Sequence, residues 1–232
     1  MSHTLKPPDI DASAGRRNNH PRMADDNKEP ANSELPVSKK RTIDHPALPK
    51  LKEQFGDVSF KAMEFRDLVT VVVPREKIVD VCTFLRDDSE LRFDMCTDVA
   101  GIDYLNYPGG APGRFCVLYS LTSLQNNNRL LLKVFLDPER STKPGENEYN
   151  DEDAMEKGDP GLIVDSVTGI WPGSEWPERE IYDMYGIVFR GHPDLRRLLT
   201  WNGFGGRPLR KDYPLRGVGE REDYEIVTRE TA

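Results

Sequence analysis

"DLVTVVVPREKIVDVCTFL", residues 67–85, changes its hydrophobic pattern at Pro74. Before the proline, residues 68–73 are a run of mostly β-branched side chains, which predicts a strand. After it, apolar side chains recur at the spacing of one helix face, at Ile78, Val81, Cys82 and Leu85. Proline itself is tolerated in the first turn of a helix. The stretch therefore predicts a strand followed by an amphipathic helix, so one domain contains both kinds of element.

The same signals extend along the chain on both sides of this stretch. Arg66 and Asp67 separate two β-rich runs and predict the turn of a hairpin. The other predicted elements are helices at 46–55 and 175–186, and strands at 58–65, 115–121, 130–136 and 163–171. This order predicts an α+β fold of two layers, with helices on one face of a mixed, largely antiparallel sheet.

Composition divides the chain into three parts. Residues 1–44 have no Phe, Trp or Tyr and five prolines, which predicts a disordered N-terminal tail. Residues 45–200 carry the predicted elements and form the α+β domain. Residues 201–232 are predicted to be a long irregular C-terminal arm, because Gly and Pro are frequent there. The arm also contains Trp201, Phe204, Tyr213 and Leu215. We expect these side chains to be buried against a partner's surface.

Residues 137–165 hold ten acidic and three basic side chains, so this part of the domain is predicted to be a solvated acidic loop. Asn150, Asp151 and Asp153 suggest a calcium loop. However, the Gly and the distal Glu of an EF-hand are missing at the required offsets. No metal site is therefore predicted.

Overall charge and cysteine usage exclude several functions. The net charge is -8 and the pI about 5.2, which disfavours binding to nucleic acid or to anionic lipid. Cys82, Cys96 and Cys116 form no Cys-x-x-Cys pair that could seat zinc or an iron–sulfur cluster. The longest apolar runs are far shorter than the roughly 20 residues of a membrane span. A reduced, soluble protein is expected, attached to a membrane only through a partner.

The most charged stretch is "WPEREIYDMYGIVFRGHPDLRRLL", residues 176–199. Helical spacing predicts that Arg179 pairs with Glu175 and with Asp183, so that the helix neutralises its own charges. Glu180 and Asp183 are a possible carboxylate pair for acid–base catalysis. No serine nucleophile, second histidine or metal set accompanies them. His192 stands in a Gly-His-Pro turn and is predicted to cap a neighbouring backbone group.

Two surfaces remain as alternatives for this segment. One is a phosphate-tracking basic surface formed by Arg190, Arg196, Arg197, Arg207, Arg210, Lys211 and Arg216. The acids Asp183, Asp194 and Asp212 interrupt it and would repel a nucleic-acid backbone. The other is a protein–protein interface, where arginine and aromatic side chains are enriched. The interface is the favoured interpretation.

Several motifs in this region resemble the C subunit of bacterial NADH-quinone oxidoreductase, the relative of the thirty-kilodalton subunit of mitochondrial complex I. They are Glu-Arg-Glu at 178–180, Asp-Met-Tyr-Gly-Ile at 183–187, Gly-His-Pro-Asp-Leu-Arg-Arg at 191–197 and Pro-Leu-Arg-Lys-Asp-Tyr-Pro-Leu at 208–215. The chain departs from the pattern at Glu175 and Pro177, and Arg207 stands where a histidine is usual. These departures concern individual contacts.

The resemblance implies a non-catalytic assembly subunit of the peripheral arm of a proton-pumping NADH:quinone oxidoreductase. It implies docking on the D subunit near the quinone site, with the B and I subunits as neighbours, on the cytoplasmic side of the inner membrane. No cofactor is expected in this chain, whereas the whole complex uses NADH, FMN, iron–sulfur clusters and quinone. The expected interface residues are Glu178, Arg179, Glu180, Asp183, His192, Asp194, Arg196, Arg197, Arg210, Lys211 and Asp212.

Two other functions stay open at this point. A related membrane-bound hydrogenase or dehydrogenase is expected to use an equivalent subunit. A free-standing hydrolase built on Glu180 and Asp183 is the alternative from a different class, and it would be active as an isolated chain.

Overall fold

A computed structural model describes residues 43–139 and 159–217 of the chain. Its α-helices are α1 (Ala47–Gln54), α2 (Ile78–Asp87) and α3 (Glu175–Tyr185). Its strands are β1 (Lys61–Phe65), β2 (Leu68–Val72), β3 (Met95–Asp103), β4 (Phe115–Ser123), β5 (Asn128–Leu136), β6 (Ile163–Asp165) and β7 (Val188–Arg190). Short 3-10 turns precede α2, β6 and α3, at Arg75–Lys77, Pro160–Leu162 and Pro172–Ser174.

Five strands form one sheet in the order β1-β2-β5-β4-β3. Strand β2 runs parallel to β5, and the other neighbours are antiparallel. Strands β6 and β7 form a separate parallel pair. The predicted mixed, largely antiparallel sheet is therefore confirmed.

One face of the large sheet carries the hydrophobic core. Alternate residues of β4, such as Val117, Tyr119 and Leu121, are fully buried on this face, as the period of two in a strand requires. All three helices contribute to the same cluster of buried side chains. The prediction of helices on one face is confirmed, and the fold is α+β.

The predicted hairpin turn and the predicted apolar stripe of the second helix are also confirmed. Arg66 and Asp67 form the hairpin turn, and both have positive φ, 50 and 63, as a tight two-residue hairpin turn requires. Helix α2 buries the predicted stripe of Ile78, Val81, Cys82 and Leu85. The second hairpin joins β4 to β5 close to the predicted bounds.

Two predictions for strands need correction. Residues 163–171 are predicted to form one strand, but β6 ends at Asp165, because the chain turns at 168–170 and Glu178 accepts the amide of Val167. Strand β3 is not predicted, although its pairing with β4 extends from Met95 to Asp103. Polar residues interrupt the alternation of β3, so its local signal is weak.

Parts of the predicted segments lie outside the described residues. These are residues 1–42 of the tail, residues 140–158 of the acidic loop and residues 218–232 of the arm. Residues 201–217 of the arm are described, and they contain turns and bends without helix or strand. Several charged residues of this part of the arm form hydrogen bonds or ion pairs with the domain.

Candidate functional site

Helix α3 positions most of the expected site residues. Glu175 and Glu178 lie in its first turn, where negative charge interacts favourably with the positive end of the helix dipole. The helix ends at Gly186, whose φ of 75 is left-handed and favours glycine. Towards the sheet, α3 lies so close to β3 that a β-carbon at Gly101 would be 2.5 Å from the Tyr185 ring. The polar side chains of α3 are therefore held in fixed positions.

Asp183 is the most densely hydrogen-bonded carboxylate on α3. It is fully buried, and its Oδ2 accepts the backbone amides of Leu198, Leu199 and Thr200 at 3.1, 2.7 and 2.8 Å. Its Oδ1 accepts the Thr200 hydroxyl and the Arg197 guanidinium, the latter at 3.2 Å. Burial opposes ionisation of this carboxyl, but the hydrogen bonds from Thr200, Leu199 and Leu198 outweigh it and lower its pKa.

The expected pairing of Arg179 within the helix is wrong. Instead of an acid on α3, its guanidinium binds backbone carbonyls, with Nε donating to Arg196 and Nη2 to Arg197, both at 3.2 Å. Asp183 is already surrounded by donors from residues 197–200. The helix therefore binds the segment that follows β7 rather than neutralising itself.

Two arginines of the arm cap the other end of α3. Arg207 donates to the carbonyls of Tyr182 and Asp183 at 2.9 and 3.2 Å, and its guanidinium lies 4.8 Å from the centre of the Tyr182 ring. Arg210 donates to the carbonyl of Tyr185 at 2.7 Å. The Tyr182 carbonyl also accepts the amide of Gly186. The carbonyls of Asp183 and Tyr185 lie in the last turn, where partners within the helix are missing, and the two arginines bind them. Burial lowers the pKa of Arg207.

A second charged cluster fastens the arm to the sheet. Asp103, at the end of β3, is buried, and its carboxylate accepts the backbone amide of Lys211 at 2.8 Å. Arg114 forms ion pairs with Asp103 at 3.2 Å and with Asp212 at 2.9 Å. Burial opposes ionisation of Asp103, but the hydrogen bonds from Arg114, Lys211 and Leu105 lower its pKa. Asp103 and Arg114 are not among the expected interface residues. Opposite charges near the adjoining ends of β3 and β4 are the signal in the sequence that could have identified this pair.

Glu178 is buried in a different environment. Its carboxylate accepts the Ser166 hydroxyl at 2.6 Å and the Val167 amide at 2.9 Å. No ion pair to Glu178 occurs in the described part of the chain. Desolvation by burial raises its pKa to about 7, and hydrogen bonds from Ser166, Val167 and Ser174 offset this only in part.

His192 has the capping role that the sequence predicted. Its Nδ1 accepts the backbone amide of Asp194 at 3.0 Å, and its Nε2 lies 3.0 Å from the carbonyl oxygen of Glu175. An Nε2–H tautomer satisfies both contacts, because one ring nitrogen then accepts and the other donates. The imidazole joins the turn after β7 to the start of α3.

The remaining expected site residues lie closer to the surface. Glu180 and Lys211 are exposed, and Arg196 pairs with Asp194 at 2.9 Å on the exposed surface. The structure thus separates the expected set into buried residues that hold the chain together, the half-buried Arg210 and Asp212 that fasten the arm, and exposed residues that a partner can contact. The buried group contains Glu178, Arg179, Asp183, His192 and Arg197.

This separation argues against the hydrolase. A general acid needs a raised pKa, whereas the pKa of Asp183 is lowered and its oxygens are occupied by donors. Glu180 is exposed, so the two carboxylates do not share one environment. Among residues 43–139 and 159–217, no group of three or more His, Cys, Asp or Glu side chains is placed to hold a metal ion.

None of the helices within the described ranges combines the length and the apolarity needed to cross a bilayer.

Comparison with known proteins gives consistent matches. The family model described as "Respiratory-chain NADH dehydrogenase, 30 Kd subunit" matches residues 71–149 and 153–218. The C subunit of NADH-quinone oxidoreductase from Geobacter metallireducens is 42% identical over 179 residues, which are 77% of this chain and 94% of the relative. The same subunit from Roseiflexus sp. is 42% identical over 168 residues, covering 72% of this chain and 82% of the relative.

A solved structure shares the fold at low sequence identity. A chain of the membrane-bound sulfane sulfur reductase, described as an archaeal respiratory membrane complex, aligns with a TM-score of 0.54 and 17% identity. The alignment covers 80% of this chain and 95% of that one. At this identity the likeness concerns the fold alone.

Proposed function

This chain belongs to the family of the 30 Kd subunit of respiratory-chain NADH dehydrogenase, and we propose that it is a non-catalytic assembly subunit of that enzyme's peripheral arm. Its partners are other subunits of the enzyme. In this proposal it docks on the D subunit near the quinone site, with the B and I subunits as further neighbours, at the cytoplasmic face of the inner membrane. NADH, FMN, iron–sulfur clusters and quinone act elsewhere in a proton-pumping complex, and the isolated chain is inactive.

One observation carries the proposal: the arm is fastened to its own domain by buried charges, while Trp201, Leu209 and Leu215 stay exposed. Phe204 and Tyr213 are half-buried and contact each other. Trp201 is 54% exposed and Leu215 is fully exposed at 107%. Leu199 and Leu209 are exposed in the same region. Exposed apolar groups on a rigidly held segment are typical of a preorganised protein interface.

The charged side chains support this division of roles. Arg197 is buried against Asp183 and contacts the carbonyl of Gly206 at 3.4 Å, so it holds the start of the arm in place. Arg196 and Lys211 project at the surface, where a partner's carboxylates can reach them. We therefore assign the buried residues to positioning and the exposed ones to contact with neighbouring subunits.

The test is affinity purification of the tagged full-length chain from gently solubilised membranes. The proposal expects flavin and iron–sulfur absorption in the purified material, together with NADH-dependent quinone reduction. Hydrogen oxidation without NADH oxidation would instead indicate an equivalent subunit of a related hydrogenase. Hydrolytic activity from a colourless, solitary chain would contradict the proposal.

A further inference from the structure

Strand β1 is an edge strand whose outer side pairs with no strand among residues 43–139 and 159–217. It pairs with β2 alone, and all five of its residues are exposed. The register between the two strands is continuous from Lys61 to Phe65. Soluble proteins usually protect such an edge with a proline, a bulge, a covering element or charged side chains, because an unpaired edge attracts other strands. In the described chain β1 has no proline, bulge or covering element, and the charged residues of the strand are Lys61 and Glu64.

The hairpin geometry identifies the backbone groups that face outward. Phe65 and Leu68 flank the two-residue turn, so they form a hydrogen-bonded pair. Because hydrogen-bonded and non-bonded pairs alternate along antiparallel strands, Met63 also bonds to β2. Ala62 and Glu64 lie between these pairs. Their amide and carbonyl groups therefore point away from the sheet.

The side chains of β1 give this edge a distinct chemistry. Met63 and Phe65 share one face of the strand, and they are 47% and 70% exposed. Lys61 lies on the same face at one end. At the other end, the Arg66 guanidinium is 5.2 Å from the centre of the Phe65 ring. An apolar centre with a cation at each end complements an apolar segment that has acidic side chains near both ends.

We propose that β1 is the docking site for an extended segment of another subunit, which adds to this edge as a sixth strand of the five-stranded sheet. The segment is apolar in its centre and carries an acid opposite each of Lys61 and Arg66. This inference rests on the proposed function, because it requires a multi-subunit enzyme. It adds a contact on the opposite edge of the sheet from β3, whose end binds the arm.

A second copy of this chain fits the edge less well. Antiparallel pairing of two β1 strands about Met63 brings Ala62 of each copy opposite Glu64 of the other. It also places Lys61 of one copy beside Phe65 of its partner, where Arg66 already lies. Like charges would then meet at both ends, and such pairs are destabilising. The cations favour an acidic partner segment over self-association.

Hydrogen exchange in the full-length chain and in the purified, assembled enzyme tests the contact directly. The amides of Ala62 and Glu64 exchange rapidly in the isolated chain, because they point to solvent. In the assembled enzyme we expect their exchange to slow by about 100-fold or more. The amides of Met63 and Phe65, bonded to β2 in both states, serve as internal references. Unchanged exchange at Ala62 and Glu64 in an enzyme that contains the chain would overturn the inference and leave the proposed function standing.

Proline substitution provides an independent test. Glu64→Pro removes an outward amide without removing a bond to β2, and proline is accepted on edge strands. In cells that also express the wild-type chain, we expect about tenfold less incorporation of Glu64→Pro into the enzyme, whereas Glu64→Ala competes equally. Equal incorporation of a folded Glu64→Pro variant would contradict the docking site. If that variant does not fold, the exchange measurement decides.

Charge reversal tests the chemistry of the partner. The double variant Lys61→Glu/Arg66→Glu is expected to incorporate poorly, and Lys52→Glu, a single charge reversal at an exposed position of α1, is the control. Normal incorporation of the double variant would exclude an acidic partner segment. A dimeric isolated chain with slow exchange at Ala62 and Glu64 would assign the edge to a second copy and overturn the proposal.

Discussion

Glu178 and Asp183 lie on the same helix and are both fully buried, yet their pKa values move in opposite directions. Burial raises the pKa of Glu178 to about 7. Burial opposes ionisation of Asp183 as well, but the Thr200 hydroxyl and three backbone amides more than offset it and lower its pKa. The hydrogen-bond donors around each carboxylate decide the sign of the shift.

The difference separates two structural roles. Asp183 gathers residues 197–200 around one ionised group and so holds the start of the arm. The Glu178 carboxylate accepts hydrogen bonds from the turn after β6. These bonds offset only part of the cost of burying its charge at neutral pH. We expect variants at the two positions to respond differently to truncation and to pH.

The largest effect is expected for Asp183→Ala. It leaves the Arg197 guanidinium buried without its carboxylate and orphans three amides, so unfolding free energy should fall by about 3–5 kcal/mol. Glu180→Ala, on the exposed side of the same helix, should change it by less than about 0.5 kcal/mol. Urea denaturation measures both. Equal losses for the two variants would contradict the assigned role of Asp183.

The next effect is the pH dependence of Glu178. Its folded pKa of about 7 exceeds the ordinary value of 4.5, so the native state holds a proton that the unfolded chain has lost between these values. The contribution of Glu178 to stability therefore decreases as pH rises through this window, by on the order of 3 kcal/mol in total. Glu178→Gln lacks this titration. Its unfolding free energy relative to the wild type should rise as pH rises across the window. A constant difference would show that the pKa of Glu178 is not raised in the folded protein.

Asp183 should show the opposite pH behaviour, and Thr200→Val tests it. The pKa of Asp183 is lowered, so its contribution to stability is present above the ordinary value of 3.8 and is lost as pH falls through the folded value. Removing the Thr200 hydroxyl should cost about 2 kcal/mol at neutral pH and bring acid unfolding to higher pH. An acid-unfolding midpoint equal to that of the wild type would show that this hydroxyl does not set the pKa.

The smallest effect is expected for Arg196→Ala. Its pair with Asp194 is exposed, so solvent screens the interaction and the unfolding free energy should fall by less than about 1 kcal/mol. Thermal melting in low and high salt measures this. A larger loss, or one that does not change with salt, would contradict the screening of this exposed pair.

Local patterns are sufficient to predict much of the fold. The hairpin turn at Arg66 and Asp67 and the buried stripe of α2 depend on residues near one another in sequence, so propensity and periodicity find them. The parallel pairing of β2 with β5 is not predicted, because it joins strands that are distant in sequence. Strand β3 is missed because Asp98 and Gly101 weaken its pattern, while pairing with β4 stabilises it.

The site shows the same limit more sharply. Helical spacing suggests that Arg179 pairs with acids on its own helix, but burial demands more donors and acceptors than one neighbouring side chain supplies. Arg179 instead donates to the carbonyls of Arg196 and Arg197, and Asp183 accepts the amide of Thr200. The arm adds Arg207, which donates to the carbonyl of Tyr182. The amide of Lys211 reaches Asp103 across a sequence separation of 108 residues, which no local pattern predicts.

The most direct test of the proposed role compares assembly with turnover in Arg197→Ala. This variant removes the cation that joins Asp183 to the arm. We expect several-fold less assembled enzyme, with unchanged NADH-to-quinone turnover per assembled enzyme, while Lys52→Ala, at an exposed position of α1 outside the expected interface, assembles normally. Normal assembly of Arg197→Ala with lost turnover would contradict it, because that residue would then act in the reaction rather than in holding the arm.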